Sequence, residues 1–179
     1  MKVSTNGDGR SLQQPVSSLM TREVKYCRPE DNLEKAIRHL WDEDCGFVPV
    51  VHELSMELAG VITDRDACIA MWSRGQGASE IDLESAMSRN IVSVKPEDTI
   101  ARAHELMRDH RVRRLPVLGA RRELLGVLSL CDLVRAAAEM DGSEGRSASI
   151  EVTRTLAAIC QPVGEPMEIS EPEPVMSMR

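Results

Sequence analysis

The chain has 179 residues, 42% hydrophobic and 28% charged, which suits one or two small globular domains rather than a disordered segment. Its net charge of −7 argues against a general nucleic-acid surface, because phosphate backbones demand an excess of Lys and Arg on one face. No run reaches the ~18 apolar residues that a bilayer-spanning helix needs, and the opening MKVSTNGDGRS does not look like a signal peptide, while five cysteines without CxxC spacing favour the reducing cytoplasm as the expected location.

In chain order, residues 1–14 read as a flexible lead-in. A β-prone run over 24–27 is followed by the turn Arg28-Pro29-Glu30-Asp31, and Asn32 stands where it can cap a helix. That helix carries Leu33, Ala36, Ile37, Leu40 and Trp41 at i, i+3, i+4, i+7 and i+8, the spacing of one buried stripe. Two strands, over 47–51 and 58–63, and a helix over about 64–73 complete the unit. The same order then returns: a β-prone run over 91–94, the turn Lys95-Pro96-Glu97-Asp98 and the cap Thr99. A helix with Ile100, Ala103, Leu106 and Met107 follows, then strands over 115–118 and 124–129 and a helix over about 130–140.

The two copies align residue by residue. Met20 and Arg22 fall on Met87 and Arg89, Pro29-Glu30-Asp31 on Pro96-Glu97-Asp98, Pro49-Val50 on Pro116-Val117, and, after a slip of one, Gly60-Val61 on Gly126-Val127 and Asp66 on Asp132. Each copy reads β-α-β-β-α. A unit of that size is marginal alone, so the sequence predicts an α/β fold of two pseudo-symmetric domains, 15–78 and 79–140, packed sheet to sheet. Aromatic residues make up only 2%, which leaves Val, Ile, Leu, Met and Ala to fill the core. Residues 141–149, DGSEGRSAS, read as a flexible linker and 150–160 as one short helix. From Gln161 a tail with Pro162, Pro166, Pro172, Pro174 and four glutamates reads as disordered.

Cys27, Cys45, Cys68, Cys131 and Cys160 show no CxxC spacing and mostly sit in apolar runs, where a reduced thiol packs as a small hydrophobe. His39, His52, His104 and His110 share no ligand spacing with Cys or carboxylate, so no metal site is expected. Ser129 has Asp132 near it but no histidine at motif spacing, and no Gly-rich phosphate loop is present. These residues point away from an enzyme. Trp72, at a helix exit, reads as core or interface.

One signature recurs at the second and third strands. Copy one has Phe47-Val48-Pro49-Val50-Val51 and then Gly60-Val61-Ile62-Thr63-Asp64-Arg65-Asp66. Copy two has Leu115-Pro116-Val117-Leu118 and then Gly126-Val127-Leu128-Ser129-Leu130-Cys131-Asp132. Thr63 and Ser129 stand where a strand ends and a helix begins. Their hydroxyls can cap that helix, with Asp66 and Asp132 in its first turn. A helix start also offers free N–H groups to a phosphate. The pattern resembles the CBS-domain family, and two copies in tandem resemble a Bateman module.

That resemblance implies a regulatory module that binds an adenosine-containing ligand (AMP, ADP, ATP or S-adenosylmethionine) between the two domains and signals to a separate, unknown partner protein. It also implies a homodimer shaped as a flat disc, with the helices that begin at Asp64 and Leu130 supplying the contact faces. Carried over by position, one site pairs Val61, Thr63 and Asp66 with Met87, Ile91, Val112, Arg113 and Arg114. The other pairs Val127, Ser129 and Asp132 with Met20, Val24, Cys45, Gly46 and Phe47. The run His110-Arg111-Val112-Arg113-Arg114 is basic and its counterpart Glu43-Asp44-Cys45-Gly46-Phe47 is acidic and apolar. The Asp66 site is therefore expected to accept phosphates. The Asp132 site is expected to stay empty or take a ligand of little negative charge. The competing reading is an interaction or structural module in which both Thr/Ser-x-x-Asp motifs serve only as helix caps.

Overall fold

The computed structural model describes residues 11–161. The first repeat consists of α1 (Leu33–Asp42), β1 (Val48–His52), β2 (Glu57–Ile62) and α2 (Asp64–Arg74). A four-residue helix, α3 (Leu83–Ala86), links it to the second repeat of α4 (Ile100–His110), β3 (Arg114–Leu118), β4 (Leu124–Ser129) and α5 (Leu130–Glu139), after which comes α6 (Gly142–Ile159). Each repeat has an antiparallel two-stranded sheet in the same register: Pro49 faces Val61 in one, and Pro116 faces Val127 in the other. Both ladders carry an irregularity late in the first strand, at Val50/Val51 and Val117/Leu118.

The runs over 24–27 and 91–94 do not form strands. Each contributes one parallel bridge to its neighbour, Cys27 to Val50 and Val94 to Val117. The cause lies on either side of the run. A few residues before Cys27, Thr21 pairs with Val127 of the other repeat, and directly after it the chain turns at Pro29. A segment tied to different repeats at its two ends has no room for a longer ladder.

The same tie explains how the cores divide. Val16 and Met20 pack with Val94, Ile100, Met107 and Leu128 in the core of the second repeat, while Ile81, Leu83 and Met87 pack with Leu33, Val48 and Ile62 in that of the first. Each sequence half lends its leading segment to the other. A third cluster, with Val51, Leu58, Val61 and Leu118 at its centre and Tyr26, Phe47, Ile91 and Leu124 around it, joins the two sheets. The hairpin tips close this contact by reciprocal bonds: Leu58 N–H donates to the Arg122 carbonyl (3.1 Å) and Leu124 N–H to the Met56 carbonyl (2.8 Å). Reciprocal contacts at matched positions are what a pseudo-two-fold axis produces.

Four expectations need correction. Residues 11–14 are not a loose lead-in, because the Leu12 and Gln14 carbonyls accept from the N–H groups of Ala101 and Ile100 (both 2.9 Å), donors that the start of α4 would otherwise leave without partners. The flexibility expected of residues 1–10 and the tail from 162 fall outside the described residues. Trp41 does not join the α1 stripe: it is 84% exposed, lying roughly a quarter turn round the helix from Leu33. Of the cysteines only Cys27 is buried, its thiol pushed up to about 11 by burial and by nearby Asp31; Cys68 and Cys131 are exposed on α2 and α5, and Cys160 is exposed just past the end of α6.

The fourth correction concerns the linker. Residues 142–149 open α6, an 18-residue helix laid across α4 and α5, with Asp141 at its cap position. Gly145 is there for close approach and not for flexibility, since a Cβ at that position would lie 2.1 Å from the Met140 carbonyl oxygen. Gly145, Ala148, Val152, Thr155 and Ile159 make a helical stripe of mostly small residues facing the second core. The seat is fixed by polar contacts: His104 Nδ1 and Thr155 Oγ1 are 2.8 Å apart, and Arg108 reaches both Glu151 (2.9 Å) and Thr155 (3.3 Å). Part of α5, the helix from Leu130 that was expected to supply a contact face, is thus covered by the chain itself.

Candidate functional site

Both Thr/Ser-x-x-Asp motifs form the same reciprocal box at a strand-to-helix junction. In the first, the Thr63 N–H and Oγ1–H donate to Asp66 Oδ2 (3.0 and 2.7 Å), and the Asp66 N–H donates to Thr63 Oγ1 (3.2 Å). In the second, the Ser129 N–H and Oγ–H donate to Asp132 Oδ2 (2.8 and 2.6 Å), and the Asp132 N–H donates to Ser129 Oγ (3.2 Å). The arrangement satisfies donors at the start of α2 and α5 and fixes each carboxylate by one oxygen, leaving the other outside the box.

The outer oxygens differ. Asp66 Oδ1 has no hydrogen-bond partner among the described residues, whereas Asp132 Oδ1 is held by the Arg135 guanidinium one helical turn away. The position on α2 that corresponds to Arg135 is Ile69, which offers no such clamp. Sequence reasoning missed Arg135, although its spacing three residues after Asp132 was the available signal.

The leading segments cross to the opposite β-strand beside each box. Val61 and Ser88 exchange backbone hydrogen bonds (2.9 and 2.8 Å), as do Thr21 and Val127 (2.9 and 2.9 Å). Met87 is thereby set beside Val61 and Met20 beside Val127, the pairings expected for the two sites. Glycine makes this approach possible: a Cβ on Gly60 would meet Met87 Sδ at 2.4 Å, and one on Gly126 would meet the Thr21 carbonyl oxygen at 2.5 Å.

Arg114, half-buried at the start of β3, reaches across to the first repeat. Its Nη1 lies 3.5 Å from the Cβ position of Gly46, and Asp64 Oδ2 lies 3.5 Å from that same point. Asp64 is the first residue of α2, so a guanidinium from one repeat stands at the helix start of the other, with Thr63 and Asp66 on the same turn. Arg114 makes no ion pair among the described residues. Asp64, an acid at this junction, was not among the expected site residues.

Other members of the expected sets are placed differently. Gly46, assigned with Asp132, is beside Arg114 instead. Phe47, assigned with Asp132, shares one apolar cluster with Val61 and Ile91 from the Asp66 set. The Cys45 thiol contacts the carbonyls of His39 and Phe47 and lines an outer groove between α1 and α2, so its side chain turns away from the seam. Val112 packs against the second core, Arg113 is exposed while its carbonyl accepts from the Leu130 N–H (2.8 Å), and Val24 is half-buried in the crossing segment. Among the described residues no three His, Cys, Asp or Glu side chains converge as a metal site, and no helix is long and apolar enough to cross a membrane.

Comparison with known proteins gives consistent matches. The family model described as CBS domain matches twice, at residues 16–73 and 78–139. The uncharacterized protein YlbB of Bacillus subtilis is 32% identical over 118 residues, 66% of this chain and 78% of that protein. Among solved structures, CBSX2 in complex with AMP aligns with a TM-score of 0.61 at 24% identity, covering 70% of this chain and 96% of the other. The CBS domain pair of protein MJ0100, in complex with 5-methylthioadenosine and S-adenosyl-L-methionine, aligns with a TM-score of 0.62 at 18% identity, covering 70% and 96%.

Proposed function

The chain belongs to the CBS-domain family, with two copies in tandem, and on that footing we propose that it is a regulatory module that binds an adenosine-containing nucleotide at the seam between its repeats. The observation that carries this reading is the meeting of Arg114 with the start of α2, the turn that also carries Asp66, whose outer oxygen has no hydrogen-bond partner among the described residues. A carboxylate with one oxygen fixed and one open can accept from a ribose diol. The positive end of the helix dipole and a guanidinium within reach suit a phosphate. AMP, ADP or ATP meets both demands, and the AMP bound by the similarly folded CBSX2 supports the choice.

In this reading the Asp132 junction is the weaker site. Arg135 already holds its outer oxygen, and Phe47, the residue that matches Arg114 in the other repeat, brings no charge for a phosphate. A ligand with little negative charge, such as S-adenosylmethionine, fits it better. Ligand binding changes the angle between repeats only by as much as its affinity differs between the two conformations, and the module passes that change to a separate partner protein in the cytoplasm. The working unit is a homodimer, and its role is regulatory, not catalytic.

The reciprocal boxes favour a second reading, in which the motifs serve only as caps and no nucleotide binds, because each box is complete without a ligand. A thermal-shift screen of AMP, ADP, ATP and S-adenosylmethionine separates the two. A true ligand raises Tm by mass action, by about 2.7 kcal/mol of stability at a hundredfold excess over Kd. No shift with any of the four supports the second reading.

A further inference from the structure

The turn that opens α2 carries two acids, and the proposed site uses only one of them. Asp66 is tied into the box through its Oδ2. Asp64, the first residue of the helix, is exposed and lies outside the box, its Oδ1 accepting from the Arg65 N–H (2.9 Å). The three atoms nearest to a Cβ at Gly46 are Arg114 Nη1 (3.5 Å), Asp64 Oδ2 (3.5 Å) and Asp64 Cγ (3.7 Å). Asp64 therefore stands across a gap from the guanidinium, and the two form no ion pair among the described residues. The box does not need this acid. A carboxylate in the first turn favours a helix start, but the second repeat builds the same box with Leu130 at the matching position, buried against its own core.

We propose that Asp64 sets the number of phosphates the site accepts, admitting an adenosine nucleotide with one phosphate and disfavouring two or three. This rests on the nucleotide site proposed above and narrows its ligand. The surroundings of Arg114 differ on its two sides. Phe47, next to Gly46 in the chain, belongs with Val61 and Ile91 to the apolar cluster that joins the sheets. Asp64 borders the outer groove between α1 and α2. A second and third phosphate are too polar for the apolar side and extend outward, past Asp64. Glu43 and Asp44, both exposed, precede Gly46 on that approach. Arg65, next along the helix, is turned about 100° away from Asp64. One guanidinium and the positive helix end match the charge of one phosphate. Each further phosphate brings negative charge close to a carboxylate already there, which costs on the order of tenfold in affinity in a partly solvated site.

The test is calorimetric titration of the full chain with AMP, ADP and ATP, in EDTA and again in excess magnesium, for the wild type, Asp64→Asn and Glu139→Gln. Asparagine keeps the size of the side chain and an oxygen for the Arg65 N–H while removing the charge. Glu139→Gln removes the same charge at the far end of α5, about 14 Å along that helix from its start. In EDTA the wild type is expected to bind AMP about tenfold more tightly than ADP, and ATP more weakly still. Asp64→Asn is expected to bring ATP within about threefold of AMP, mainly by tightening ATP, while Glu139→Gln keeps the wild-type ratio. Asp64→Leu, with the residue that the second repeat carries there, serves if Asp64→Asn does not fold. Equal affinities in the wild type, an unchanged ratio in the Asp64 variant, or the same change in Glu139→Gln overturns the role of Asp64 while the nucleotide site stands. So does ATP binding that magnesium strengthens in the wild type and not in Asp64→Asn, since the carboxylate would then hold a cation with the phosphates. No binding of any of the three to the wild type overturns the nucleotide site itself and this inference with it.

Discussion

Glycine and the capping carboxylates are the residues that make the seam. Gly60 and Gly126 occupy matched positions, yet the chain is sensitive to them unequally. A methyl on Gly60 meets the end of the flexible Met87 side chain, which can swing aside, whereas a methyl on Gly126 meets the Thr21 backbone. Gly126→Ala is therefore expected to destabilise by about 1–3 kcal/mol, the usual range for overpacking, and Gly60→Ala by less. Urea unfolding of the two variants checks this, and equal losses would contradict it. The boxes were legible at this scale, because a hydroxyl three residues ahead of an aspartate, between a strand and a helix, has one obvious local use. Asp64 and Arg135 were not legible. Their roles depend on which face of a helix start they occupy and on what the other repeat brings there.

At the scale of elements, α6 is the instructive case. Gly and Ser in DGSEGRSAS suggested a linker, but the same small residues permit close helix packing, and only the partner surface on α4 and α5 decides between these uses. Trp41 was misjudged in the converse way, since an apolar residue at helical spacing can face a partner instead of the core. The seat of α6 has a pH-dependent fastening. His104 is buried against Thr155, and burial holds it well below the ordinary histidine value, at about 4; Glu151 opposes that shift and Arg108 adds to it. The folded state therefore binds fewer protons than the unfolded state between about pH 4 and pH 6.5, and stability falls as pH is lowered through that window. The loss between about pH 7 and pH 4.5 is expected to be on the order of 2 kcal/mol, seen as a falling urea midpoint. His104→Gln is expected to flatten this dependence. A variant that keeps the full slope would show that other groups set it.

For the molecule as a whole, the fold class, the duplication and the α-β-β-α order inside each repeat followed from the sequence, because hydrophobic period and turn residues repeat in register across both copies, while the leading run of each copy forms a single bridge and not the expected strand. The exchange of leading segments did not. Nothing local to residues 16–21 or 81–87 says that they pack on the opposite repeat, and the glycine that admits each of them lies far away in the chain. The seam has two unlike ends: one where Arg114 reaches the helix start that carries Asp66, neither of them ion-paired among the described residues, the other with Asp132 clamped. The central claim is that the first of these binds the nucleotide. Calorimetric titration with AMP of the wild type, Asp66→Ala, Arg114→Ala and Asp132→Ala tests it most directly. Affinity is predicted to fall roughly tenfold or more in Asp66→Ala and Arg114→Ala, from the loss of charge-assisted hydrogen bonds, and to stay unchanged in Asp132→Ala. Unchanged affinity in Arg114→Ala together with lost binding in Asp132→Ala would contradict the assignment.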